Sequence, residues 1–519
     1  MQTPFEVLPY SIDALKRLLA KQSKPSIIDK KLHSTYFENY FDELKTKVIL
    51  AEYDYVDRDF LEDYSGYYVR CFKKYERKCT RLHFFGTEFT ETDFKNILMG
   101  EISNITVEKL QNSYQGFLVI KPLPETIVGR TCLKTYDDDN GRRRYPTVHK
   151  YETSLFGIPL STESLAFQEQ DRVAAACATS SLWSAFHRTG RIFHHHIPSP
   201  VEITKQATTI PTEFESRSFP SKQLTGTQMV HAIRTVGLEP MSLKANNESV
   251  LKNTCYSYLR GGIPIVLCAY ICDMTTTVPF IMGGHAVTIT GYSLGLPKPI
   301  PIGENGLHLL SSRIDELYVH DDQVGPFARM KFDGITISMD GQEYNSLHTS
   351  WRGGEGLGPI GSARAIPFII YLPLYHKIRI PYSVIHDNMA FLNSIIEKLR
   401  NENKIKLNSS LNYDIYLTSV NSLKKEILQS SRLSKDKKLH CLLEKMPRFI
   451  WRVTAIEGTN PVLEFLFDAT DIEQGPLMPC IVEYDKNFTA VMREVSKEMG
   501  LHPEYQAYPI WPIIEFFSK

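Results

Sequence analysis

The chain has 519 residues, with 59 Lys plus Arg against 59 Asp plus Glu, so its net charge is zero; 42% of it is hydrophobic and 23% charged. That is the composition of a folded, soluble chain of about three domains at roughly 100–200 residues each. It excludes the global basic field that would pull on nucleic acid or anionic lipid. Nine cysteines, odd in number and loosely spaced, read as scattered reduced thiols rather than a disulfide framework, and no pair of CxxC motifs suggests a structural zinc site.

The opening MQTPFEVLPYSIDALKRLL lacks the basic head and apolar run of a signal peptide. The longest apolar stretch, near Gly262 to Cys272, is too short to span a bilayer and reads as a buried strand. A cytoplasmic protein with no membrane contact is expected. Residues 1–155 mix helix and strand. Ser11 caps a helix running to about Lys21 with Ala14, Leu15, Leu18 and Leu19 on its apolar face. Tyr114 to Leu123 reads as a buried strand stopped by Pro122 and Pro124, and Asp137 to Arg144 as a hairpin tip turning at Asn140-Gly141, with opposed charges pairing across its strands.

Residues 156–345 concentrate the chemistry. Residues 346–519 open on a Gly-rich linker or flexible loop, Arg352 to Ser362, which lacks the spacing and ending of a phosphate loop. After it come an extended run, a helix near Val384 to Arg400, and two helices between Asn421 and Lys445. Strands near Arg448 to Ile456 and Val462 to Phe467 and a last helix near Asn487 to Met499 complete a mixed α/β region.

Three segments of the middle region carry candidate residues. In QEQDRVAAACATSSLWSAFHRTG, Cys177 opens a helix-compatible run whose Leu182, Trp183 and Phe186 face a core. A helix N-terminus favours the thiolate, and the small residues around Cys177 let a substrate backbone approach. Gln170, with Gln168 as the fallback, supplies an amide N–H for a developing oxyanion beside the backbone N–H of Cys177. A lone cysteine of this kind is more often core than catalyst; the other two segments raise it. In FIMGGHAVTITGY, Gly283 and Gly284 leave room around His285, and the strand behind it fixes the ring, as a general base requires. In DELYVHDDQVGPF, a strand ends in Asp321 and Asp322, where a carboxylate can accept the second N–H of a histidine, although turn capping is the commoner use of either aspartate. The run His194, His195 and His196 reads as a solvated loop rather than a metal site, because neighbours in a strand point to opposite faces, and His320 with the two aspartates is a weaker metal alternative.

Taken in chain order, Gln, Cys, GGHAV and the strand-end Asp resemble the papain-like cysteine peptidase superfamily, closest to its bacterial leader-processing (bacteriocin-type) branch. Gly226 to Pro240 is similar to the second helix of such domains, ending at Gly237. The resemblance covers about 180 residues. Ala178 follows the cysteine where many relatives have glycine, and the Gln–Cys spacing is slightly long. The resemblance implies an α+β fold, with a catalytic helix packed on an antiparallel sheet in 156–345, flanked by mixed α/β regions. It implies Cys177 as nucleophile, His285 as base and then acid, Asp321 (before Asp322) as orienter and Gln170 as oxyanion donor. The expected activity is a cysteine peptidase or isopeptidase acting on a protein or peptide through a thioester, with no cofactor and no metal. A transglutaminase-like acyltransferase and a non-catalytic binding module are the alternatives.

Overall fold

In a computed structural model, residues 3–21, 23–171, 176–210, 224–296, 300–303, 306–339, 341–471, 478, 480–502, 504, 506 and 510–518 are described. Helix and strand are present in similar amounts and the sheets are antiparallel apart from one short pair, so the fold is α+β. Chain contacts divide it into two units. The first comprises 1–246, 264–293 and 316–373, and the second 247–263, 294–315 and 374–519.

The first unit begins with a five-stranded antiparallel sheet of Phe5–Pro9, Val48–Tyr55, Cys79–Phe85, Tyr114–Ile120 and Val128–Leu133, in that order. Ser11 accepts from Ala14 N and starts the helix Ile12–Ala20, whose buried residues are Leu15, Leu18 and Leu19. That helix and Leu32–Glu43 close one face over Ile49, Leu82, Phe84 and Leu118. Glu91–Met99, started by a Thr90–Asp93 capping box, closes the other face with Phe94. A sheet covered on both faces needs no polar alternation, and every residue of Tyr114–Ile120 is buried.

A second sheet carries the candidate residues. Its strands run Ile265–Asp273, Phe280–Leu294, Ile314–Asp321, Gly325–Lys331, Leu347–His348 and Ala363–Tyr375, with Leu238–Lys244 beside the last. Ala363–Tyr375 pairs with Leu347–His348 on one side and with Ile265–Asp273 on the other, so the path closes on itself. Arg143–Arg144 joins by pairing with Tyr292 and Ser293. The acidic-basic segment before it is therefore a tight turn, not a hairpin tip. Asp139, Asn140 and Gly141 take positive φ, and the charges pair along the turn, Arg142 with Asp139 and Arg143 with Asp137. The Gly-rich stretch after Trp351 is a loop between two strands of this sheet, anchored where Gly354 N donates to Asp273 at 2.5 Å.

The second unit centres on a five-stranded sheet, His308–Leu309, Leu411–Ser419, Phe449–Glu457, Asn460–Asp468 and Cys480–Glu483, in that order, with the first pair parallel. Trp451 is fully buried and donates to Ile380 O at 2.9 Å. Arg452 bonds buried Glu464 at 2.7 Å, which satisfies both charges inside the sheet layer.

Candidate active site

The thiol is set by the helix Cys177–Phe193. Ala176 at its N-cap offers no side-chain oxygen, and Ala174 and Ala175 lie outside the described residues. Leu182, Trp183 and Phe186 are each 0% exposed, so the helix is held by packing on several faces. Two hydrogen bonds fix it to the next strand. Ser181 Oγ donates to Ala286 O at 2.8 Å, and Thr288 Oγ1 donates to Ser181 O at 2.7 Å. They grip the strand immediately beyond His285 and so fix one turn of the helix relative to the imidazole.

The strand Phe280–Leu294 enters from solvent. Phe280 to Gly283 are exposed, Gly284 is half-buried, and His285 is the first buried residue. A Cβ at Gly283 would meet nothing within 4 Å, so the space before the histidine is open. The imidazole has a partner on each side. The Cys177 thiol acts on it as a side-chain partner that helps to raise its pKa, and its Nε2 stands 3.0 Å from Asp321 Oδ1. A carboxylate only accepts, so Nε2 carries the proton and the other ring nitrogen is left to the thiol. Burial works against the imidazolium, but Asp321, the contact with Cys177 and Asp322 outweigh it and hold His285 well above its ordinary value.

Asp321 closes the strand Ile314–Asp321 with three donors. His285 Nε2 and the Gln323 N–H (3.1 Å) reach Oδ1, and Trp351 Nε1 reaches Oδ2 at 2.8 Å. Burial would raise this carboxyl, and these donors bring it below the usual range. The Trp351 ring also meets the His285 ring edge to face, with centroids 4.7 Å apart. Asp322 is different. It is 3% exposed, Oδ1 lies 3.6 Å from His285 Nε2, and neither oxygen accepts a hydrogen bond from another of the described residues. Burial, helped by Asp321, raises its carboxyl to about 7 against the pull of His285.

The structure thus brings Cys177, His285 and Asp321 together. Gln170 is half-buried in the extended segment ahead of the helix, and no described hydrogen bond joins its side chain to Cys177 or His285. Gln168 is 5% exposed with its Nε2 unpartnered among the described residues, and its neighbour Glu169 acts electrostatically on Asp322. His320 is committed elsewhere. Nε2 meets Leu165 O at 3.0 Å, Phe327 N donates to Nδ1 at 3.1 Å, and burial lowers it to about 3. The ligand atoms that do cluster, within 4.8 Å among the described residues, belong to His285, Asp321 and Asp322, and two of these already bond each other. His195 and His196 turn to Thr189 and Glu202. Sequence reading missed Trp351; the available signal was a tryptophan opening a Gly-rich loop.

No family model matches the chain, and no curated protein matches it. Among the described residues no helix is long and apolar enough to cross a membrane.

Proposed function

We propose that the chain is a cysteine hydrolase of peptide or isopeptide bonds with a papain-like core, in which Cys177, His285 and Asp321 form the catalytic triad. The observation that carries this reading is the His285–Asp321 pair, Nε2 to Oδ1 at 3.0 Å, on a strand hydrogen-bonded to the helix that Cys177 opens. A helix opening on the cysteine and hydrogen-bonded to the histidine strand supports the same core.

In this mechanism the Cys177 proton passes to His285, and Sγ attacks the carbonyl carbon. The oxyanion is met by the Cys177 backbone N–H and a glutamine amide. Gln170 or Gln168 supplies that amide, and the Nε2 of Gln168 has no partner among the described residues. His285 gives its proton to the leaving amine and a thioester remains. His285 then takes a proton from water, the hydroxide displaces Sγ, and the acid product leaves. Asp321, fixed by Gln323 and Trp351, keeps the ring oriented and stabilises the imidazolium throughout. The substrate is a protein or peptide, and the scheme uses no cofactor, metal, nucleic acid or membrane.

Site-resolved mass spectrometry of the full chain treated with iodoacetamide near neutral pH tests the reading. Cys177 should be modified faster than the other eight thiols, and His285→Ala should abolish the excess. Equal rates at all nine cysteines would remove the enzyme reading. Given a reactive Cys177, an added primary amine appearing in conjugates separates acyl transfer from hydrolysis.

A further inference from the structure

Asp321 and Asp322 are adjacent, equally buried and both close to His285 Nε2, yet among the described residues only Asp321 accepts hydrogen bonds from other residues. A buried carboxylate with no donor is strongly disfavoured as an anion. The surroundings do not relieve it. Across from it, Glu169 is already engaged by Lys31, by Val128 N at 2.9 Å and by His33 Nε2 at 3.7 Å. Asp321 adds another negative charge, and among the described residues the cation that faces Asp322 directly is the imidazolium of His285.

We propose that Asp322 is a positioning residue for His285: a carboxyl group that holds a proton in the resting site and, on releasing it, adds a negative charge beside Nε2 that keeps the imidazolium facing Cys177 at higher pH. This rests on the Cys177–His285 reading above. The groups that set its ionisation are its own backbone N–H, Asp321 on its own strand end, His285 on the adjoining strand and Glu169 on the segment before the helix, which Lys31 and His33 engage in turn. Raised to about 7, the carboxyl releases its proton inside the working range of a thiol hydrolase. Asp321 orients the ring at every pH, and Asp322 extends the alkaline range in which the ring stays charged.

The test is the pH profile of Cys177 alkylation by iodoacetate, whose anion draws on a neighbouring imidazolium, measured in the full chain and in Asp322→Asn. The unsubstituted chain should give a bell-shaped profile. In the variant the alkaline limb should move down by about one pH unit, a roughly tenfold lower rate at a fixed pH on that limb, with the acid limb unchanged. Asp322→Glu should restore the limb. Superimposable limbs in chain and variant would overturn the proposal. A flat wild-type profile would overturn the hydrolase reading itself, which separates the two failures. Stability supplies a second readout that needs no reactive thiol. The folded carboxyl is raised to about 7 from an unfolded value of roughly 4. The stability it contributes is therefore full below about pH 4 and is lost as pH rises through 7. The unsubstituted chain should lose thermal stability relative to Asp322→Asn across that window, and parallel curves would overturn the proposal. Should Asp322→Asn fail to fold, Asp322→Ser is measured in the same two ways.

Discussion

Among the described residues Asp321 Oδ2 has one donor, the indole N–H of Trp351 at 2.8 Å, and that residue stands thirty positions away in the chain. Trp351→Phe keeps an aromatic face beside His285 and removes the donor. A buried carboxylate oxygen is then left unsatisfied, at a cost of about 1–3 kcal/mol. Urea denaturation should read that loss, and the iodoacetamide rate at Cys177 should fall because Asp321 no longer fixes the ring as firmly. An unchanged stability and rate would show that the indole is incidental. Cys177, His285 and Asp321 were legible as a group because each sits at a boundary that sequence marks: a helix start, the first buried residue of a strand, and a strand end. Trp351 was not, because its partner is chosen by strands closing in space. The unequal footing of Asp321 and Asp322 was not legible either, since it depends on which of two adjacent side chains faces donors.

Local periodicity identified most helices and strands. The helix of Lys486–Gly500 and the strands Phe449–Glu457 and Asn460–Asp468 fall within a few residues of their expected places. Cys177–Phe193 follows from the apolar LWSAF run, and its burial makes it sensitive. Trp183→Ala removes a side chain that is 0% exposed and should destabilise by about 3–5 kcal/mol, read by denaturant unfolding. What local pattern could not give was pairing. Arg143–Arg144 found Tyr292 and Ser293 rather than its own turn's other arm, and the Gly-rich stretch was tied down by Asp273. A Cβ at Gly353 would collide with the Asp273 carboxylate. Gly353→Ala should therefore cost about 1–3 kcal/mol by overpacking and, by shifting the loop that begins beside Trp351, slow alkylation of Cys177. Gly283→Ala, which meets open space, is the matched control and should leave stability near its starting value.

At the scale of the molecule, the first unit buries neutral histidines whose titration sets its acid limit. Burial lowers His33, takes His83 to about 4 and His320 to about 3. Each folded value lies below the unfolded value of roughly 6.5. The stability these groups contribute is therefore full above that value and is lost as pH falls through about 4 and 3, at roughly 1.4 kcal/mol per pH unit and group. Denaturant midpoints for the first unit should fall steeply between pH 6 and pH 4, and His320→Gln should flatten the slope. The chain also passes between the units repeatedly, through 247–263, 294–315 and the segment after 373, so each unit is built from separated stretches. No composition shift marks those passages, which is why sequence gave contiguous regions. The consequence is testable with a fragment. Residues 156–345 contain Cys177, His285 and Asp321, but end before Leu347–His348 and Ala363–Tyr375. Val266 to Asp273 would lose the pairing partners Tyr371 to Ala363, the ring of strands would open at one gap, between Ile265–Asp273 and Gly325–Lys331, and Trp351 would be absent. An exposed edge along a buried apolar strand leads to aggregation rather than a folded fragment. Fragment 156–345 should therefore lack cooperative unfolding and show Cys177 no more reactive than the other thiols it retains. The full chain should show both properties, and a cooperatively folded, selectively alkylated fragment would mean that the closing strands are dispensable for the site.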